Sequence, residues 1–388
     1  MKFASYINRD EALQLLTKLI SIDSVNPSLV EGGAGEAEIA AFLENHLQEI
    51  GLKAERKEIA PGRMNVVGVW RGTGHGKSLM LNGHIDTVSA EGMVHPPFQA
   101  SLKEGRVYGR GALDMKGGLT AILCAIKAVK KAGLKLRGDV VFAGVADEEY
   151  ASIGTEAVVR DYRTDGAVIC EPSNLDVIVA HKGFAWIKVD VRGKAAHGSL
   201  YQEGIDAISK AGKVLQAVDA YEKEKLHANS HPLVGSPSIH ASLISGGKEL
   251  STYPDFCRIE YERRTIPGET EAQVRDEMKA ILDRIAASDR SFQADSEVFF
   301  YRPPLEVPYE AAVVKSLHDA FTAATGKVPK YAGKSGWMDS AILQAAGVPT
   351  VVFGPGGRGS HAAEEYVELE DVLTTANVLA QMIADFCA

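Results

Sequence analysis

Apolar positions recur along this chain with two rhythms. Between Ala37 and Ile50 they follow helical spacing, and Gly51 stands where such a helix would stop. Ser78–Asn82 (SLMLN) is instead a short, continuous apolar run, the pattern of a buried strand. Met115–Ala132 returns to helical spacing, with Leu119, Ile122, Leu123, Ile126 and Val129 on one face ahead of Gly133. Asp139–Ala146 (DVVFAGVA) and Gly166–Cys170 are further apolar runs. The alternation predicts a mainly parallel sheet covered by helices.

From about Val177 the rhythm changes. FAWIKVDVRG, SIHASLISGG, CRIEYERR and QADSEVFFY read as amphipathic strands of a sheet with one face to solvent. Helical stretches interrupt them only near Glu203–Glu224 and Glu269–Ala287. This segment reads as an α+β domain inserted into the first. After Pro303 the α/β rhythm returns, with a strand at Pro349–Phe353 and a closing helix from about Glu368. The expected division is 1–178 and 303–388 for a split first domain and 179–302 for the insertion.

Composition narrows the function classes. A chain of 388 residues is long for a single core. Its 45% hydrophobic and 24% charged residues are those of an ordinary globular protein. The net charge of -9 argues against nucleic acid and anionic membranes as partners. Cys124, Cys170, Cys257 and Cys387 lie far apart, which disfavours a disulfide framework or a thiolate zinc knuckle. The start, MKFASYINRDEALQLL, lacks the apolar stretch and cleavage site of a signal peptide, and no run approaches ~20 apolar residues. A cytoplasmic location is expected.

Chemistry gathers where the apolar runs stop. His84 follows SLMLN, and Asp114 precedes the long helix in GRGALDMKGG. Glu148 and Glu149 follow DVVFAGVA, Glu171 follows AVIC, and His361 lies in the glycine-rich loop after TVVF. Ligands of open α/β sheets collect at the carboxyl ends of strands. Imidazoles and carboxylates together suit zinc, cobalt or manganese, and one carboxylate can bridge two ions. Asp86, two residues after His84, is placed to take the second ring N–H of that imidazole. Of the adjacent glutamates, one can bind metal while the other serves as a general base; the residues alone do not say which.

The ordered series GHIDTV, GRGALDMKGG, DEEYASIGT, EPSNLD, GKAAHGS, RTIPGET and SHAAEEYVELED resembles the M20 metallopeptidase family over nearly the whole chain. That group includes acetylornithine deacetylase, succinyl-diaminopimelate desuccinylase, aminoacylase and glutamate carboxypeptidase. The resemblance implies a zinc-peptidase-like catalytic domain split by an α+β lid and dimerisation domain, a homodimer, and two divalent ions, zinc first and cobalt or manganese as alternatives. His84, Asp114 and Glu171 would hold one ion and Asp114, Glu149 and His361 the other. Glu148 would be the general base, and Asp86 would orient His84. The Asp114–Met115 peptide would be cis. His197 would reach the partner subunit's site, and Arg264, with Arg263 as fallback, would bind substrate. The implied reaction is hydrolysis of an N-acyl amino acid or related small amide by metal-activated water, with a dipeptidase or carboxypeptidase as alternative and a catalytically inactive binding protein as a remote one. Two segments depart from the family pattern. Thr252 stands where many members carry Asn, and GKSGWMDS replaces a Gly-Thr-Asp type of segment, which makes Trp337 a candidate for the substrate pocket. His181 reads as structural.

Overall fold

The computed structural model describes residues 3–388. Helices α1 (Arg9–Ser21) and α2 (Ala37–Glu49) lead into the hairpin β1 (Lys53–Ala60) and β2 (Arg63–Trp70), then β3 (Leu79–His84). Short strands β4 (Ser101–Lys103) and β5 (Arg106–Tyr108) follow, and a tight turn over Ala112–Lys116 opens α3 (Gly117–Lys131). β6 (Val140–Val145), α4 (Ile153–Asp161), β7 (Gly166–Ile169) and β8 (Val177–His181) complete the first stretch. The middle stretch holds β9 (Gly183–Arg192), α5 (Ala207–Tyr221), β10 (Ser238–Gly246), β11 (Phe256–Thr265), α6 (Glu271–Ser288), β12 (Gln293–Arg302) and β13 (Leu305–Glu306). The last contains α7 (Ala312–Thr325), β14 (Tyr331–Lys334), α8 (Ser340–Ala345), β15 (Thr350–Val352), β16 (Gly357–Arg358), β17 (Tyr366–Glu368) and α9 (Leu369–Phe386).

Two compact units result. The first takes the chain up to Val179, then 307–332 and 338–388; the second takes 180–306 and 333–337. The return to the first unit thus falls a few residues after the expected 302/303 boundary. The cause is β13, whose Leu305 and Glu306 pair with His181 and Ala180 in the second unit. GKSGW joins that unit as well: Gly333 packs so closely on the Leu233 carbonyl that a Cβ would lie 2.5 Å from it, and the Trp337 indole N–H donates to the Pro303 carbonyl at 3.1 Å.

The sheet of the first unit runs β1-β2-β6-β3-β7-β15-β8. Its centre, β6-β3-β7-β15, is parallel, as the continuous apolar runs predict, and its flanks are antiparallel. Every residue of β3, β6 and β7 is buried, because helices cover both faces. Met80, Val141, Ala143, Ala167 and Val352 pack under Val158 of α4 and Leu343 of α8. On the opposite face Gly83 lies against Leu119 of α3, and Gly166 against Val313 of α7 and Phe386 of α9. Each such buried Val or Leu contributes roughly 1.5–3 kcal/mol. Parallel pairing brings the carboxyl ends of four strands to one edge.

The second unit is an antiparallel sheet, β10-β11-β9-β12. Alternate residues Ile187, Val189 and Val191 of β9 are buried in a core with Val214 and Val218 of α5 and Val274, Met278 and Ile281 of α6. The other face carries half-buried Phe184, Trp186 and Phe300. Among the described residues no helix is long and apolar enough to cross a membrane.

Candidate metal centre

Three strand ends and two turns build the site. His84 is the last residue of β3. After β6, Asp147 takes a left-handed conformation (φ 68°), which aspartate tolerates, and its carbonyl accepts the amides of Tyr150, Ala151 and Ser152. The chain thereby turns sharply and leaves Glu148 and Glu149 at the sheet edge. Glu171 lies two residues beyond β7. Asp114 sits in the turn before α3, and the Asp114–Met115 peptide is cis. The glycines after that turn have a steric reason: a Cβ on Gly118 would lie 2.0 Å from the Cys170 carbonyl. Only glycine lets the start of α3 come this close to the strand end carrying Glu171.

The ligand atoms of His84, Asp114 and Glu171 lie within 4.8 Å of one another, and so do those of Asp114, Glu149 and His361. Asp114 belongs to both groups. His84 Nε2 is 3.1 Å from Asp114 Oδ1 and 3.4 Å from Glu171 Oε1. His361 Nε2 is 3.0 Å from Glu149 Oε2 and 3.5 Å from Asp114 Oδ2. The residues fit a pair of cations. His84 Nδ1 lies 2.9 Å from the Asp86 carbonyl oxygen, an acceptor, so Nδ1 carries the proton and Nε2 turns its lone pair toward two carboxylates. Those groups repel unless a proton or a metal ion stands among them. Glu149 Oε1 is buried with no hydrogen-bond partner.

Asp86 differs in detail from the expected arrangement. Its carboxylate Oδ1 is 3.7 Å from His84 Nδ1, so the backbone carbonyl is the nearer acceptor. The carboxylate instead accepts the backbone N–H of Glu148 at 3.2 Å and of Glu149 at 3.3 Å. It is held in turn by Asn26 Nδ2 at 2.8 Å. Asn26 also donates to Asp147 and accepts from Arg63. Buried Arg63 closes the network with ion pairs to Glu36 and to Asp147. One carboxylate thus fixes the backbone of both glutamates.

The charges are strongly coupled. Burial opposes protonation of His84, yet its bond to Asp114 and the surrounding carboxylates carry its pKa well above the usual value. Hydrogen bonds to Asp114 and Glu149 raise His361 to about 10. Despite burial, the two imidazoles hold Asp114 well below the carboxylate range. Burial, and then the Glu171 charge, push Glu148 well above its ordinary value. Such an excess of carboxylates over cations is the electrostatics of a site that binds positive charge.

Several residues here were not singled out from the sequence. Asp339, within GKSGWMDS, is fully buried, accepts from Thr155 Oγ1 at 2.5 Å and is raised by burial to about 6. Its charge helps to raise both Glu148 and Glu171. Its signal was the unusual segment around it, read for its tryptophan. Asn26, Arg63 and Glu36 carried no signal, since nothing local marks a polar residue as buried, whereas Arg110 and Glu365 lie inside GRGALDMKGG and SHAAEEYVELED without having been singled out there.

The remaining candidates belong to the second unit. His197 is exposed; its backbone bridges to Thr252, and its Nδ1 lies 2.9 Å from Ser199 Oγ and accepts the Ser199 N–H at 3.3 Å. Arg263 is buried and committed to Glu269 and Glu277. Arg264 is part-exposed, bonded through Nε to Glu262 and stacked over Phe184. Trp337 packs edge-on to Phe184 and His181, with Arg302 over its ring.

Comparison with known proteins agrees with this geometry. Residues 80–385 match the model of peptidase family M20/M25/M40. An N-formyl-4-amino-5-aminomethyl-2-methylpyrimidine deformylase of Bacillus subtilis is 28% identical, over 98% of this chain and 96% of its own length. An acetylornithine deacetylase of Myxococcus xanthus is 29% identical over 96% of each. A Bacillus subtilis protein described as a dinuclear metal-binding peptidase of the M20 family shares the fold, with a TM-score of 0.75, 16% identity and 98% of each chain covered. A mainly parallel α/β sheet, a carboxylate shared between two ligand groups and a family match over most of the sequence converge on one conclusion: this chain is a hydrolase belonging to peptidase family M20/M25/M40.

Proposed function

We propose that this chain removes the acyl group from an N-acyl amino acid or related small amide, using two divalent ions, zinc first and cobalt or manganese as alternatives. The observation that carries the reading is Asp114, shared by two three-residue ligand groups, while Glu148, next to the ligand Glu149 in the chain, belongs to neither. Ions held there would polarise an amide carbonyl and make water acidic enough to be a nucleophile at neutral pH. Glu148 takes the proton of the attacking water and hands it to the leaving nitrogen. Asp86 holds the Glu148 backbone in place for both transfers. His197, accepting at Nδ1, keeps a proton on Nε2 and donates it as a hydrogen bond to the carbonyl oxygen as charge develops there. Arg264 offers the rest of its guanidinium to a substrate carboxylate. Trp337, held by the aromatic cluster around Phe184, is proposed to contact substrate with the rest of its ring.

Both near-full-length relatives are named for removing an acyl group, which favours a deacylase. The peptidase of like fold supports the second reading, a dipeptidase or carboxypeptidase. Hydrolysis rates on N-acetyl, N-formyl, N-succinyl and N-carbamoyl amino acids, measured beside dipeptides with Glu148→Gln as the blank, separate the two. Faster cleavage of an acyl amino acid is expected. Faster dipeptide cleavage would establish the second reading, and no cleavage of any amide by metal-loaded protein would sink both.

The second unit is proposed as the dimer surface that brings His197 to a neighbouring site. Supporting this, β10 is an edge strand exposing Leu243 and Ile244. Light scattering at working concentration should give twice the chain mass. Four free cysteines suit the reducing cytoplasm, where we place the reaction.

A further inference from the structure

The two ligand groups are supported differently. His84 and Glu171 stand at the ends of β3 and β7, neighbours in the parallel ladder, and the Cys170 amide donates to the Asn82 carbonyl at 3.0 Å. Their spacing is set by the sheet. Asp114 and His361 come from two turns with no strand ladder at the ligands themselves. His361 is the exposed ligand, its side chain 55% accessible, and it adopts a left-handed backbone (φ 62°), which a residue other than glycine holds only under constraint.

One buried carboxylate joins these turns. Glu365 Oε2 accepts Arg110 Nη1 at 2.7 Å and the Gly111 N–H at 2.9 Å. Its Oε1 accepts the N–H of Leu113 at 2.9 Å and of Asp114 at 3.1 Å. Both oxygens are thus fully engaged by donors, so Glu365 is not itself a ligand. Arg110 ties the same parts from the other side, donating to the carbonyls of Ser89 at 2.9 Å and Ala362 at 3.1 Å. Ala362 is next to His361, and Glu365 four residues beyond. The loop that carries all three is folded so tightly that a Cβ on Gly359 would lie 1.8 Å from the Glu364 carbonyl. Pairing of β17 with β5, Tyr366 opposite Tyr108, brings the two turns near each other, and Glu365 with Arg110 fixes the last residues up to Asp114 and His361.

We propose that Glu365, held by Arg110, is a positioning residue for the group Asp114, Glu149 and His361, so that its loss weakens that ion selectively; this rests on the two-ion reading. A glutamine in its place keeps the shape, but its amide nitrogen cannot accept, and part of the donor set is orphaned. Metal-free protein should be titrated with zinc by calorimetry, with His84→Ala and His361→Ala marking the two groups. Glu365→Gln should weaken the His361-side ion about 10–100-fold and the His84-side ion markedly less. The double variant Glu365→Gln with His361→Ala should bind its remaining ion only slightly more weakly than His361→Ala does, since of that ion's ligands Glu365 touches Asp114 alone. In the metal-free state, hydrogen exchange at the Leu113 and Asp114 amides should quicken in Glu365→Gln, which reads the anchor without any ion. If Glu365→Gln does not fold, Arg110→Lys carries the test, with the same selectivity and a smaller loss. Equal weakening of both ions, or an unchanged titration, overturns the proposal. A wild-type chain that takes up fewer than two ions overturns both the proposal and the reading beneath it.

Discussion

Glu148 and Glu149 are adjacent in the chain and share one anchor, the Asp86 carboxylate, yet only Glu149 reaches His361. Glu148→Gln should therefore keep both ions and lose nearly all turnover, since an amide cannot take the proton. Glu149→Gln should lose an ion as well. Metal analysis of the two variants checks this, and the reverse pattern would exchange their roles. At this scale the ligands were legible because each is a polar residue following an apolar run or opening a helix, so its place at a strand end or turn could be inferred. The residues that hold them were not. Asn26 and Arg63 sit in ordinary polar stretches, and their burial arises from packing between segments distant in sequence. Asp86 was read for a side-chain bond to His84, while its carboxylate turns to the two glutamates, a choice set by the turn after β6.

Arg63 on β2 binds elements together: Glu36 just before α2, Asp147 after β6, and Asn26 after α1. Removing the cation leaves two buried carboxylates unpaired, a loss of about 3–5 kcal/mol for a buried pair broken on one side. Arg63→Met should lower stability by that order in denaturant unfolding. The double change Arg63→Met with Glu36→Met should recover part of it, and a loss within experimental error would show the network to be dispensable. Strands of the sheet centre were readable because burial on both faces forces continuous apolar runs. β1 was not: KAERKEIA is an exposed edge strand, mostly polar, and it is fixed by pairing with β2 rather than by its own pattern. The helix α6 was legible from its spacing, to within two residues at its start.

For the whole molecule, the apolar pattern changes from continuous to alternating after about Val177, and the first compact unit runs to Val179. The short segments that cross this boundary were not legible. Leu305–Glu306 and 333–337 join the second unit through backbone pairing and a close glycine contact, which leave no trace in hydrophobicity. The family match does not name the substrate, since the relatives include deacylases and peptidases alike. The central claim is that hydrolysis requires ions in the two groups sharing Asp114. It is tested by stripping the protein with a chelator, verifying the metal-free state, and following amide hydrolysis as zinc is added back. The rate should be negligible without metal, rise with bound zinc, and level off at two ions per chain; full hydrolysis by verified metal-free protein would contradict the account.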